Sequence, residues 1–327
     1  MVTGIAGFIG VALVKRLQAC GYDVIGIIRK DSSRYREHLR KAGCSLKAIE
    51  LHEVGNIDGH TGWDRSFGGA GVDVVVHLAA RAHVRRERSA NALEAFRETN
   101  VDGTRHLAEQ AAASGVGRFV YLSSIKVNGG VTTGQPFRSN DEVSPQGPYG
   151  QSKAEAEKQV RRVFRETSGD FVTIRPPLVY GPGVKANFLN LMRWLYLGIP
   201  LPLGAIENRR SLVALDNLVD LIVRCLEHPG AANQTLLVSD GEDLSTTALL
   251  QRTAAAMGKS ARLVPVPALV VKTAASLLGK PEMAERLCDS LQVETGKTRE
   301  LLNWSPPMSV DEALSQTVRH FLTHQRV

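Results

Sequence analysis

Long apolar runs are missing from this chain, and so are paired cysteines. The longest apolar stretch, Leu263 to Val271, contains two prolines and is followed by Lys272, so it is too short and too interrupted to span a bilayer. With the next segment, Thr273 to Gly279, it is expected to form a buried helix in preference to an anchor lying on a membrane surface. No basic, apolar, small-residue signal opens the sequence, and the expected compartment is the cytoplasm. The four cysteines, Cys20, Cys44, Cys225 and Cys288, are widely separated and none belongs to a CxxC pair. Neither a metal site nor a disulfide framework is therefore expected. Internal repeats and low-complexity tracts are also lacking. The net charge of +7 and a pI near 9.3 raise the question of nucleic acid, but the basic residues are scattered among acids. The denser cluster from Arg81 to Arg88 has no interleaved aromatics and matches no nucleic-acid motif, so no nucleic-acid partner is expected.

What is present reads as an ordinary folded protein: 327 residues, 43% hydrophobic and 22% charged, enough for one large α/β unit with a smaller companion. Short β-branched runs at Asp23 to Ile28, Val72 to His77, Arg118 to Leu122 and Phe171 to Ile174 alternate with amphipathic segments at Ala90 to Ser114 and Ser152 to Thr167. That alternation predicts a Rossmann-type, doubly wound parallel sheet over residues 1–180. From Gly181 the proline and glycine clusters, then helical patterns near 216–228, 245–257 and 311–324, predict a smaller, mostly helical domain over 181–327. Some of its strands are expected to cross back to the first sheet.

Gly4, Gly7 and Gly10 lie at a strand-to-helix junction, with Phe8 and Ile9 opening the helical pattern. Glycines there allow a tight turn and let backbone amides approach a pyrophosphate at the positive end of a helix. Only Met1, Val2 and Thr3 precede the turn, so the expectation is a truncated or misassigned start. The second strand ends in Arg29 and Lys30 beside Ser32 and Ser33, cations and hydroxyls suited to a 2′-phosphate, which favours NADP(H) as cofactor. Asp31 keeps NAD(H) open.

Further motifs follow in order: His77-Leu78-Ala79-Ala80, Asn100 inside a helix, Leu122-Ser123-Ser124, Tyr149-x-x-x-Lys153, and Arg175-Pro176-Pro177-x-x-Tyr180-Gly181-Pro182. Together with the glycine turn they make the chain resemble the extended short-chain dehydrogenase/reductase superfamily, in its branch of NAD-dependent epimerases and dehydratases acting on nucleotide sugars. The set spans more than half of the sequence. Its chemistry is also readable from the residues: Tyr149 and Lys153, four apart, share one helix face, and an ammonium beside a phenol is expected to lower the phenol pKa. A tuned tyrosine is a fit general acid/base for a sugar hydroxyl whose carbon exchanges hydride. Ser124, at the end of a buried strand, is expected to orient the substrate oxygen, so the catalytic set is Ser124, Tyr149 and Lys153.

The resemblance implies more. Asn56, Ile57 and Asp58 would border the adenine, His77, Leu78, Ala79, Ala80 and Asn100 would line the cofactor, and Pro176 to Leu178 would pack near the nicotinamide. Asn187, Arg210 and Arg286 would hold the substrate diphosphate, for which guanidinium forks are suited. Sugar 4,6-dehydratases carry an acidic pair where this chain has Ile125 and Lys126, which argues against water elimination. A cofactor-retaining 4-epimerase and an NADPH-consuming 4-ketoreductase stand equal. Asn128 replaces a tyrosine usual in epimerases, and the run from Lys297 to Pro307 resembles the end of UDP-hexosamine enzymes. A reductase of a steroid-like or flavonoid-like carbonyl and a non-catalytic dinucleotide-binding regulator are the other readings. The resemblance also implies a homodimer, through helices near 90–115 and 152–167.

Overall fold

A computed structural model describes residues 1–69, 71–82 and 92–324. Most of the Arg81 to Arg88 cluster, and the start of the segment expected to be helical from Ala90, lie outside them. Among the described residues ten strands form: β1 (Val2–Thr3), β2 (Val24–Ile28), β3 (Ile49–Glu53), β4 (Val74–His77), β5 (Arg118–Leu122), β6 (Asp170–Arg175), β7 (Leu178–Tyr180), β8 (Arg210–Ala214), β9 (Gln234–Leu237) and β10 (Asp243–Leu244). Seven make one parallel sheet in the order β3-β2-β1-β4-β5-β6-β9. This is the Rossmann-type α/β fold, and its winding reverses between β1 and β4. β1 has only two residues, yet Val2 is matched to Gly26 on one side and Val76 on the other.

Both faces of the sheet are covered, as a parallel sheet requires. On one face Leu13, Val14 and Leu17 of the helix Phe8–Ala19 meet Leu218, Leu221 and Ile222 of the helix Leu215–Glu227. On the other, Leu107 and Ala111 of the helix Gly103–Ala113 pack with Val160 and Phe164 of the helix Gly147–Arg165. A second sheet, β10-β8-β7, sits with the C-terminal helices around Tyr180, Phe188, Leu314 and Phe321.

After residue 180 the chain returns to the first unit. The helix Leu215–Glu227 and strand β9 return to the first unit, where β9 extends the main sheet by pairing Val172 with Gln234. Arg118 ties this return in place: its guanidinium holds both carboxylate oxygens of Asp170 at 2.6 and 2.9 Å and the carbonyls of Cys225 and His228 at 2.8 and 2.9 Å.

Two expectations are corrected. The amphipathic segment 90–114 is not one regular helix: a π-helical stretch, Glu98–Asp102, separates Ala92–Arg97 from Gly103–Ala113. Asn100 lies within that stretch and is buried. The segment expected to be a buried helix does form one, Ala268–Leu277, but only Ala275 in it is buried; Leu269 is 76% exposed and Leu277 85%. Its apolar residues recur on every side of the helix, so periodicity carried no sign of which side faced the core. Among the described residues no helix is long and apolar enough to cross a membrane, and no cluster of metal-ligating side chains occurs.

Arg118→Ala is expected to lower the unfolding free energy by about 3 kcal/mol, because it strands Asp170 and two carbonyls below the surface. Urea denaturation checks this; a loss below about 1 kcal/mol would mean the tie is dispensable.

Candidate active site

The expected cofactor and catalytic residues of the first unit follow the carboxyl ends of parallel strands or open the next helices. The glycine turn follows β1, Arg29 follows β2, Asn56 and Ile57 follow β3, and Leu78 to Ala80 follow β4. Ser124 follows β5 and Pro176 follows β6. They therefore share one edge of the sheet, the edge on which open α/β folds bind ligands.

The glycine turn is tight enough to need its glycines. A Cβ on Gly10 would lie 2.2 Å from the Gly4 carbonyl oxygen, and one on Gly4, whose φ is +69°, would lie 2.9 Å from the Ala79 nitrogen. Gly7 N–H donates to the Gly4 carbonyl at 2.9 Å, and no side chain caps the helix Phe8–Ala19 that follows. Its first amides are left to face an anion. Phe8 turns its ring into the core while its backbone stays at the turn. Underneath, Ala79 N–H donates to Thr3 Oγ1, Thr3 Oγ1 lies 2.7 Å from His77 Nδ1, and His77 Nε2 lies 3.0 Å from Thr104 Oγ1. Burial pushes the His77 pKa down to about 3, so the ring is neutral and this brace carries no charge.

A cavity of about 920 Å³ adjoins the turn, lined by Ala6, Arg29, Lys30, Asn56 and Asp58, with Arg34 and His38 of the helix Ser32–Lys41. A cradle that a Cβ would fill, open helix amides and this cavity fit a dinucleotide. Ile57 does not line the cavity; it packs inward against Gly103, whose Cβ would come within 2.8 Å of it. One oxygen of Asp31 is committed to capping, accepting from Ser33 Oγ and Arg34 N–H. Asn100 is a brace here: its carbonyl oxygen accepts from Arg81 N–H at 2.8 Å, and its amide donates to the Arg81 carbonyl and to Ser152 Oγ at 3.1 and 2.9 Å.

Tyr149 and Lys153 stand in the first turns of the helix Gly147–Arg165. Tyr149 is half-buried with its ring edge-on to Phe96 at 6.1 Å, and Lys153 is fully buried. The lysine ammonium donates to the Leu122 carbonyl at 2.8 Å and lies 4.5 Å from the Tyr121 ring centroid. Burial lowers the Lys153 pKa to about 7, against the Glu157 carboxylate, which raises it. The expectation of a lowered Tyr149 pKa is corrected: burial pushes the phenol up to about 12. The ammonium does not offset this because it is directed at Leu122 and is itself near half-charged at neutral pH.

Behind the pair is a buried ionic knot that sequence reading missed. Glu157 accepts from Ser123 Oγ at 2.5 Å and from Arg175 Nε and Nη2 at 2.9 and 2.5 Å. Arg175 Nη1 donates to Asn128 Oδ1 at 2.9 Å, and the Asn128 amide donates to the Arg138 carbonyl at 2.8 Å. The available signal was spacing: Glu157 is one helical turn beyond Lys153 on the same face.

On the substrate side, Arg210 of β8 is mostly buried and donates to the Asp289 carbonyl at 2.8 Å. Burial lowers its pKa, and the nearby Arg286 adds to this. Burial also lowers the Lys126 pKa, again with a contribution from Arg286. The charge of Arg286 thus reaches both Arg210 and Lys126, and Lys126 is not among the residues expected to hold the diphosphate. Arg286 is exposed and paired with Glu282 at 3.0 Å. Asn187 is exposed at the start of the helix Ala186–Tyr196, with no hydrogen bond to that trio among the described residues.

A dinucleotide-cradling parallel sheet with a Tyr-x-x-x-Lys helix defines a nicotinamide-dependent oxidoreductase scaffold. Residues 1–238 match the NAD dependent epimerase/dehydratase family, and the chain belongs to it. It is 44% identical to a UDP-glucose 4-epimerase of Vibrio cholerae over 98% of this chain and 95% of that protein. It is 30% identical to one of Mycolicibacterium smegmatis, over 98% and 97%. The crystal structure of UDP-glucuronic acid 4-epimerase from Bacillus cereus in complex with NAD superposes with a TM-score of 0.78 at 20% identity, covering 98% of both chains.

Tyr149→Phe is expected to reduce kcat at least about hundredfold, the scale of a lost general acid/base. Because kcat/KM reports ionisations of the free protein, its pH profile should show a limb near pH 7 belonging to Lys153. Glu157→Gln removes the charge that raises the Lys153 pKa, so that limb should move to lower pH; an unmoved limb would assign it to another group.

Proposed function

We propose that the chain is a nicotinamide-dependent 4-epimerase of a nucleotide sugar. The observation that supports this reading is that Ser124 follows β5, and Tyr149 and Lys153 open a helix whose lysine reaches the Leu122 carbonyl, on the sheet edge that also carries the glycine cradle. The nicotinamide, when bound, supplies a reversible hydride exchange at the sugar carbon. Tyr149 holds the proton of the reacting hydroxyl, Ser124 orients its oxygen, and Lys153 sets the charge beside the phenol. Lys126, Arg210 and Arg286 offer cations to a diphosphate, which favours a nucleotide sugar over an uncharged steroid or flavonoid. Kinship with the Vibrio cholerae UDP-glucose 4-epimerase favours a UDP-hexose, and the Lys297 to Pro307 run favours a hexosamine among these.

A second reading, a 4-ketoreductase that consumes NADPH on a 4-keto-6-deoxy sugar, draws on the cations around the 920 Å³ cavity. Arg29, Lys30 and Arg34 suit a 2′-phosphate, whereas Asp31 has an oxygen engaged in the helix cap. Incubation with UDP-N-acetylglucosamine and UDP-glucose, with products resolved by NMR, tests the first reading: the 4-epimer should accumulate with no net change in nicotinamide absorbance. No epimer, together with stoichiometric NADPH oxidation on UDP-4-keto-6-deoxy-N-acetylglucosamine, would establish the reductase instead. Arg29→Ala should weaken NADPH binding about tenfold relative to NADH, read by fluorescence titration; equal effects on both would remove the 2′-phosphate argument.

A further inference from the structure

The helix Ala268–Leu277 and the turn after it present water with side chains of the kind that fill cores. Leu269, Leu277 and Leu278 are 76, 85 and 75% exposed. The helix leads through Gly279 and Lys280 into the helix Pro281–Cys288, on which Met283 is exposed. A second apolar segment, Trp194, Leu197 and Ile199, is also exposed. The chain joins the two segments directly: Leu201 N–H donates to the Arg262 carbonyl at 2.9 Å and Val264 N–H to the Leu201 carbonyl at 2.8 Å. Of the thirteen large hydrophobics exposed among the described residues, nine fall within 194–199 and 264–283, so exposure is concentrated here and not scattered.

We propose that this face seats the protein on an anionic lipid surface. The charge around it decides among occupants. Arg193, Arg262 and Lys280 are exposed along the two segments, and the helix Ala268–Leu277 contains no acid. Its one charged residue, Lys272, is paired with Asp289. The acids on the neighbouring helix are Glu282, paired with Arg286, and Glu285. An apolar centre with an exposed tryptophan and a cationic border has the composition of a surface-lying membrane anchor. A second copy of this chain, meeting the face across a two-fold axis, would bring the same cations into opposition. The helix Pro281–Cys288 also carries Arg286, which neighbours Lys126 and Arg210, so the lipid-facing hairpin and the cations assigned to substrate share one element.

The inference does not depend on which C4 reaction the site performs. The full chain with nicotinamide present would be sedimented with vesicles of phosphatidylglycerol and phosphatidylethanolamine, and with vesicles of phosphatidylcholine alone. Binding to the anionic vesicles is expected, at least about tenfold weaker to the neutral ones and at high salt. The double variant Leu277→Glu, Leu278→Glu should lose at least about tenfold in vesicle affinity while keeping its melting temperature and its turnover of soluble substrate. Absence of binding to anionic vesicles, or equal binding by the variant, overturns the proposal. So does a variant that leaves vesicles unaffected but reduces the mass seen by light scattering, since the face would then be a protein interface.

Discussion

One buried carboxylate holds the catalytic edge together. Glu157 receives a hydroxyl from the end of β5 and a guanidinium from the end of β6, and it projects from the helix that carries Tyr149 and Lys153. A charge at such depth is tolerable only when its partner and remaining lone pairs are satisfied, which makes the geometry all-or-none. The helix cannot slide along the sheet without stranding Glu157 or Arg175, so the register of the phenol and ammonium over the strand ends is fixed from behind. Asn128 completes the arrangement by linking Arg175 to the Arg138 carbonyl. This gives a structural role to the asparagine found where epimerases usually carry tyrosine.

Charge elsewhere is apportioned by place. His77, beneath the cofactor turn, is neutral, so the polar brace there does not compete with the helix amides for an anion. Positive charge accumulates at two separate points, around Arg29, Lys30 and Arg34 at one end and around Lys126, Arg210 and Arg286 at the other. A molecule with anionic groups at both ends of a reacting pair would be drawn to this spacing.

Much of the first unit was legible because its signals are local. β-branched runs between amphipathic segments specify a parallel sheet, and three glycines at a junction specify a turn that other residues could not enter. What escaped the sequence depends on distant contacts. The direction of the Lys153 ammonium is set by the Leu122 carbonyl, 31 residues away, and with it the phenol moved opposite to expectation. The π-helical turn at Asn100 was hidden by a composition that suits a regular helix equally well. Strands β8 and β9 sit among helical patterns and lack the strand–helix alternation that marked β2, β4, β5 and β6, so nothing around them pointed to a sheet. The helix Ala268–Leu277 was assigned its type correctly and its environment wrongly, because hydrophobicity on every side reports no direction.

The return of β9 to the main sheet bears on how the protein is made. Until Gln234–Leu237 has left the ribosome, β6 is the outermost strand, with its outer backbone groups unpaired. The segments between β6 and β9 supply β7 and β8 to the second sheet and the helix Leu215–Glu227 to a face of the first, not to its margin. The nascent first half must therefore wait through the synthesis of its neighbour before it can close, and during that interval it depends on dilution or on a holding chaperone to avoid joining another half-made chain.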